Sequence, residues 1–233
     1  MKPTFPAISR TTLRYSEQLA DEGYTVIPEL IEPQVIRDAC EFIRNEGAGT
    51  RRLIEMPWCA DLAARIAKDE RMSQLLPESA VAAQCTAFSK TMETNWLVPI
   101  HQDLSIPVAE RVDSRKCSGW SEKEGELFVQ PPVQVLEQLL AVRLHLDDCD
   151  ERNGALRVVP GSHLLGRLDA TKGQQARDRR GSVSVNVTRG GVMLMRPLLL
   201  HASSKVSIDN PRRVLHFLFG PRTLPEGLRW RSA

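Results

Sequence analysis

The sequence has almost no net charge, no C-x-x-C pair, no apolar run of membrane-spanning length and no internal repeat or low-complexity tract. Its 31 basic and 29 acidic residues leave a formal charge of +2, so neither nucleic acid nor an anionic membrane is expected as the principal partner. The five cysteines, at positions 40, 59, 85, 117 and 149, are odd in number. Free thiols in a reducing compartment are expected rather than a disulfide framework, which makes the cytoplasm the expected location. The N-terminal MKPTFPAISRTTLRYSEQ lacks the roughly 7–15-residue apolar segment of a secretory signal, and no stretch approaches a membrane span. Oligomeric state leaves no mark on the sequence.

What is present fits one sizeable core, and β-rich chains of 233 residues commonly form a single domain. Helical spacing covers 12–23, 32–46 and 60–74. In 32-EPQVIRDACEFIRNE-46 the apolar Val35, Ile36, Ala39, Phe42 and Ile43 recur at three- and four-residue steps. The segment 23-GYTVIPEL-30 reads as a short strand between the first two helices. Beyond residue 76 the texture changes to extended runs at 81–90, 95–103, 139–147, 155–159, 183–188, 191–200 and 213–219, separated by Gly, Pro, Asn and Asp. This pattern predicts a mainly β fold with flanking helices, a jelly roll over 76–225 behind a mainly helical flank at 1–75. Residues 108–135 and 166–182 read as long connections, of the kind that serve as lids, binding loops or disordered segments. The second carries five basic residues against two acidic.

Chemistry concentrates in 98-VPIHQDLSIP-107, where a histidine and a carboxylate stand two apart in an apolar, proline-bounded run. In an extended chain His101 and Asp103 share a face. His201 ends the apolar run 192-VMLMRPLLLH-201, where an imidazole faces a cavity or solvent. His145 and His216 lie within strands and read as structural, and His163 in 160-PGSH-163 reads as a turn-fixing residue. Two imidazoles and a carboxylate are the set that holds Fe(II) on one triangular face. They also suit Zn²⁺ with one open position, and their mixed donors disfavour Ca²⁺ and Mg²⁺. Arg212 and Arg213, in 209-DNPRRVLHFLF-219, favour the iron reading, because a fixed guanidinium matches a carboxylate cosubstrate in bidentate geometry.

The order of these motifs resembles the phytanoyl-CoA dioxygenase family of Fe(II)/2-oxoglutarate oxygenases, especially its short bacterial-type members. The resemblance runs through GYTVIPEL, 94-TNWLVPIHQD-103, 146-LDDCDERNGALRVVPGSH-163, 190-GGVMLMRPLLLHASS-204 and PRRVLHF. It implies a double-stranded β-helix, with iron held by His101, Asp103 and His201 and these three as the catalytic set. It also implies 2-oxoglutarate and O₂ as cosubstrates, and Arg212, eleven residues after the distal histidine, as the cosubstrate arginine. Lys90 is a further candidate for the cosubstrate and Asn95 for the pocket wall. Arg143 stands where relatives often carry an aromatic residue, which bears on the primary substrate. Hydroxylation of a small metabolite is the expected reaction, with desaturation, ring formation and epimerisation as alternative outcomes and a non-catalytic binding jelly roll as the alternative class. Halogenases of this superfamily replace the ligand carboxylate, so the presence of Asp103 argues against halogenation. Arg143, 51-RR-52 and the basic 167–180 segment favour an anionic substrate over a neutral lipid.

Overall fold

The computed structural model describes residues 9–43, 50–208 and 210–232. Helix α1 (Arg10–Asp21) starts where the Ser9 side chain accepts from the Thr12 N–H, replacing a partner that every helix N-terminus lacks. Helices α2 (Pro33–Phe42) and α3 (Pro57–Lys68) each open on proline, whose fixed φ and absent N–H suit the first helical position. Residues 44–46 of the predicted second helix lie outside the described residues. The predicted helix at 60–74 divides at Asp69, which ends α3 and caps α4 (Glu70–Ser73) by accepting from the Arg71 N–H.

The strands are, in chain order, β1 (Tyr24–Ile27), β2 (Val81–Lys90), β3 (Val98–His101), β4 (Ile106–Pro107), β5 (Ser118–Lys123) and β6 (Glu126–Gln130). There follow β7 (Leu140–His145), β8 (Leu156–Val158), β9 (Val183–Val185), β10 (Val192–Met195), β11 (His201–Ser203) and β12 (Arg212–Gly220). The largest sheet has the order β1-β10-β7-β12-β2, the second β3-β11-β8-β9 and the third β4-β6-β5. Every strand pairing is antiparallel. The fold is mainly β with flanking helices, a jelly roll of the double-stranded β-helix kind.

The outer face of the large sheet presents Leu140, Val142, Leu144, Leu215 and Phe217 to Ile36 of α2 and Leu62 and Ile66 of α3. Its inner face presents Ala141, Met193 and Met195 to Leu156, Val158 and Val185 of the second sheet. Strands β7 and β10 are therefore buried on both sides, which accounts for their nearly unbroken apolar sequence. Arg143 and His145 share the parity of Ala141, so their side chains enter the barrel. The N-terminal flank is not purely helical, because β1 forms one edge of the large sheet.

Both segments expected to be long connections contain regular structure. Within 108–135, β5 and β6 form a hairpin whose Glu124 and Gly125 both have positive φ, 54° and 74°, as a two-residue turn matched to strand twist requires. The short helix α5 (Val133–Leu136) and this third sheet pack on Leu139, Leu198 and Trp230 at one end of the barrel. Within 166–182 lies α6 (Ala170–Arg180), capped by Asp169 and followed by Gly181 at φ 75°. Only Gly173 and Ala176 of α6 are buried, so it lacks the apolar stripe that periodicity detects. No described helix is long and apolar enough to cross a membrane.

Candidate active site

Strands β3 and β11 lie side by side with His101 directly opposite His201, their ring centroids 4.2 Å apart. Each Nδ1 hydrogen-bonds the carbonyl oxygen two residues earlier, Pro99 for His101 and Leu199 for His201, both at 2.9 Å. A carbonyl only accepts, so the backbone fixes the proton on Nδ1 and leaves the Nε2 lone pair directed inward. Both Nε2 atoms face Asp103, at 3.6 Å for His101 and 3.7 Å for His201. Asp103 lies just past the end of β3, where its N–H donates to Pro197 O at 2.9 Å. Between the two, Gln102 donates to Gly166 O and Leu198 O at 2.8 and 2.7 Å and accepts from the Leu168 N–H at 2.8 Å. The residue separating histidine from carboxylate thus fastens the segment to two neighbouring loops.

Burial opposes ionisation of Asp103, but the imidazoles of His201, His101 and His216 outweigh it and hold the carboxyl well below the usual carboxylate range. Burial pushes His201 down to about 4 against the pull of Asp103. His101 is also disfavoured as a cation by burial, yet its contact with Asp103 prevails and raises it. The cluster offers an ionised carboxylate beside a neutral imidazole. One atom from each of His101, Asp103 and His201 lies within 4.8 Å of the others, and among the described residues no other histidine, cysteine or carboxylate group of three does so. This donor set fits a first-row transition metal, and two imidazoles with one carboxylate and open positions is the arrangement of non-haem Fe(II) oxygenases.

A cavity of about 440 Å³ opens from these residues into the barrel. Arg212, paired with Lys90 across β12 and β2, is 2 % exposed. Its Nη1 donates to Gly154 O at 2.8 Å, while its Nε has no partner. Lys90 is fully buried, donates to Ser203 Oγ at 2.8 Å and Ser204 O at 2.9 Å, and lies 5.1 Å from the Trp96 ring centroid. Burial, with Arg212 and Arg143 adding repulsion, pushes its ammonium down to about 8. Ser203 Oγ donates in turn to Gly154 O at 2.8 Å. Gly154 has φ 81°, and a Cβ there would meet Ser204 O at 2.9 Å, so this position requires glycine. Arg213 points the other way, where Nε and Nη2 grip Asp147 at 2.8 and 2.6 Å.

The phytanoyl-CoA dioxygenase family model matches residues 19–214, which include β1 to β11, the start of β12 and Lys90, His101, Asp103, Gly154, His201 and Arg212. The chain belongs to the phytanoyl-CoA dioxygenase family. As a member of that family it is an iron- and 2-oxoglutarate-dependent oxygenase. No curated protein matches the sequence. Among solved structures it is similar to EctD from S. alaskensis in its apoform, with 18 % identity, 97 % of this chain and 85 % of that one covered and a TM-score of 0.68. It is also similar to HygX from Streptomyces hygroscopicus with nickel and 2-oxoglutarate bound (18 % identity, 94 % and 89 % covered, TM-score 0.63). A third is the epimerase SnoN in complex with Fe³⁺, alpha ketoglutarate and nogalamycin RO (17 % identity, 93 % and 87 % covered, TM-score 0.67). At these identities the likeness is one of fold.

Of the residues named from the phytanoyl-CoA dioxygenase motifs, His101, Asp103, His201, Lys90, Arg143 and Arg212 all line one cavity. Asn95 does not: its amide donates to Val206 O at 3.0 Å and accepts from the Val206 N–H at 2.9 Å, so it is spent on clamping a loop. His163 fixes more than its own turn, bonding Ala20 O of α1 at 3.0 Å. His145 is buried with no partner on either ring nitrogen. His216, read as structural, lines the cavity and meets Arg143 Nη1 through Nδ1 at 2.8 Å. Ser203, Gly154 and Gln102 carry weight that no single-residue reading assigned, although NGAL and HASS lie within the quoted family motifs.

Proposed function

We propose that this oxygenase oxidises a C–H bond of a small metabolite, with hydroxylation as the default outcome. When bound, iron and 2-oxoglutarate supply the oxidising chemistry: O₂, the cosubstrate and R–H become R–OH, succinate and CO₂. His101 and His201 supply imidazole nitrogen and Asp103 a carboxylate oxygen to the metal. The backbone bonds to Nδ1 keep both rings in the donating tautomer. Arg212 receives the distal carboxylate of 2-oxoglutarate, with Lys90 and Ser203 beside it. The bidentate grip of Arg213 on Asp147 supports Arg212 over Arg213 for that role. The charges of Fe(II), Asp103, a 2-oxoglutarate dianion and Arg212 cancel, which suits a sheltered interior.

The observation that carries this reading is the juxtaposition in one cavity of three metal-donor atoms within 4.8 Å and a buried arginine whose Nε has no protein partner. Hydrogen removal at carbon also begins other outcomes, and SnoN, of the same fold, is an epimerase. The small cavity and its basic lining favour a compact, anionic substrate. Five free cysteines support a reducing, cytoplasmic location. The test is succinate formation with Fe(II) and 2-oxoglutarate across a panel of small organic acids, amides and phosphates. Fe(II)-dependent succinate, stimulated several-fold or more by at least one panel member, is expected. Stoichiometric Zn²⁺ with ester or amide hydrolysis and no succinate would contradict the reading.

A further inference from the structure

Antiparallel register sets Thr86 of β2 opposite His216 of β12, and His216 opposite Arg143 of β7. Three polar side chains therefore form a cross-strand row on the inner face of the large sheet. Two residues along β2, Gln84 donates to Thr86 Oγ1 at 3.1 Å. All four line the cavity that holds His101, Asp103 and His201.

Within that row the charge of Arg143 is unanswered. The residue is 5 % exposed, and among the described residues no carboxylate makes an ion pair with it. Its Nη1 meets His216 Nδ1 at 2.8 Å, its Cζ lies 5.6 Å from the Phe88 ring centroid, and its Nε has no partner. Burial and the adjacent guanidinium push His216 down to about 3, so its neutral ring accepts from Arg143 rather than competing with it. One guanidinium nitrogen is thereby anchored, and the Nε–Nη2 edge, the planar fork that matches an oxyanion, is left without a carboxylate.

The cosubstrate does not account for this charge. A 2-oxoglutarate dianion, Fe(II), Asp103 and Arg212 already balance, and Lys90 has its own oxygen partners in Ser203 and Ser204. Around the cavity wall Lys90, Lys123, Arg143 and Arg212 face a single acid, Asp103, while Arg51, also at the wall, is paired with Glu124. A buried guanidinium without a counter-ion is costly, and the cost is recovered when an anion arrives.

We propose that Arg143, anchored by His216, is a second anion seat separate from that of Arg212, and that the primary substrate carries a carboxylate or phosphate that docks on the Arg143 fork. This rests on reading the cavity as an iron and 2-oxoglutarate site. Thr86 and Gln84 then offer hydrogen bonds to a polar group next to that anion, and a cavity of about 440 Å³, shared with the cosubstrate, sets the reacting part of the substrate as small.

Calorimetry on protein loaded with Mn(II), a redox-silent stand-in, and then saturated with 2-oxoglutarate tests the seat with three probes: propionate, methyl phosphate and the neutral propionamide. At least one anion should bind tenfold or more tighter than propionamide, and the tighter of the two identifies the source. Arg143→Met should lose that binding by tenfold or more while its 2-oxoglutarate affinity changes less than threefold. Should Arg143→Met fail to fold, Arg143→Lys, which keeps charge and loses the fork, should bind the anion several-fold weaker than the wild type. Anions binding no better than propionamide, or binding undiminished in both variants, would overturn the proposal. So would a tenfold loss of 2-oxoglutarate affinity in Arg143→Met, which would give the fork to the cosubstrate. Wild-type protein that takes up neither Mn(II) nor 2-oxoglutarate is a different failure, seen before any probe is added. It would overturn the functional reading and the seat with it.

Discussion

The two sheets that enclose the cavity are finished to different degrees. On the β3-β11 side, both histidines have their Nδ1 atoms bonded to backbone, Asp103 is tethered through its N–H, and Gln102 locks the segment from behind. On the β2-β12-β7 side, Arg143 Nε, Arg212 Nε and both nitrogens of His145 are buried without partners. Native interiors rarely leave such groups unanswered. The contrast is between a wall whose donor atoms the backbone already fixes and a wall that keeps two buried guanidinium Nε atoms unpartnered, which the proposed anions would answer.

The strongest way to break this comparison is through the finished wall. His201→Ala or His101→Ala should abolish Fe(II) binding and succinate formation, since two donors remain where three are needed. Circular dichroism should stay native, because the rings face a cavity. Metal binding retained at wild-type affinity in His201→Ala would mean that another residue is the third donor.

On the unfinished wall, Arg212→Ala removes the bidentate charged contact proposed for the distal carboxylate of 2-oxoglutarate. Each hydrogen bond to a charged group contributes about 1.5–3 kcal/mol, and about 1.4 kcal/mol is a tenfold change. That is about one to two orders of magnitude per bond, so the 2-oxoglutarate dissociation constant measured anaerobically should rise by roughly one to two orders of magnitude or more. Arg212→Lys should recover only part of the loss. Arg213→Ala should leave that constant nearly unchanged and lower thermal stability instead, through the stranded Asp147.

A smaller effect is expected one residue removed from the ligand. Gly154 O holds both Arg212 and Ser203, and a Cβ at Gly154 meets Ser204 O. Gly154→Ala should weaken 2-oxoglutarate several-fold with metal affinity intact, and equal losses of both would show that the two walls are not separable in this way.

The least effect, and the one that sharpens the electrostatics, concerns Lys90. Burial, Arg212 and Arg143 hold its ammonium down at about 8, with the Cys149 thiol opposing them. A dianion bound beside Lys90 favours its charged form. Between pH 8 and 10 the free protein has lost that proton and the complex regains it, so binding should take up a proton and affinity should fall a few-fold as pH rises. Calorimetry in buffers of different ionisation enthalpy measures the uptake. Lys90→Met should flatten the profile, and a profile equally steep in that variant would place the proton elsewhere.

Much of the finished wall was legible in the sequence, because its information is local. His101 and Asp103 fall two apart in a proline-bounded run, and His201 ends an apolar run of the sequence. The β2, β7 and β12 runs were legible from their apolar pattern, whereas α6 and the β5–β6 hairpin were not. A helix with two buried residues leaves almost no periodic trace, and the hairpin's polar, charged strands look like loop until Glu124-Gly125 is recognised as a turn. The Arg212 or Arg213 choice depended on strand parity, which the register with β2 and β7 supplies. His216 and Asn95 exchanged expected places for the same reason: a histidine inside a strand faces either core or cavity, and an asparagine before a strand either lines a pocket or clamps a loop, according to partners distant in sequence.

The central claim is that one cavity joins a three-residue iron site to an arginine that receives 2-oxoglutarate. Anaerobic titration of Fe(II)-loaded protein with 2-oxoglutarate tests it most directly, read by the weak visible charge-transfer band of a metal-chelated keto acid. The account predicts saturation at one equivalent in wild type and in Arg213→Ala, with Arg212→Ala reaching the same band only at a concentration higher by roughly one to two orders of magnitude or more. A wild-type protein that gives no band, or an Arg212→Ala curve that overlays the wild type while Arg213→Ala is displaced, would contradict it.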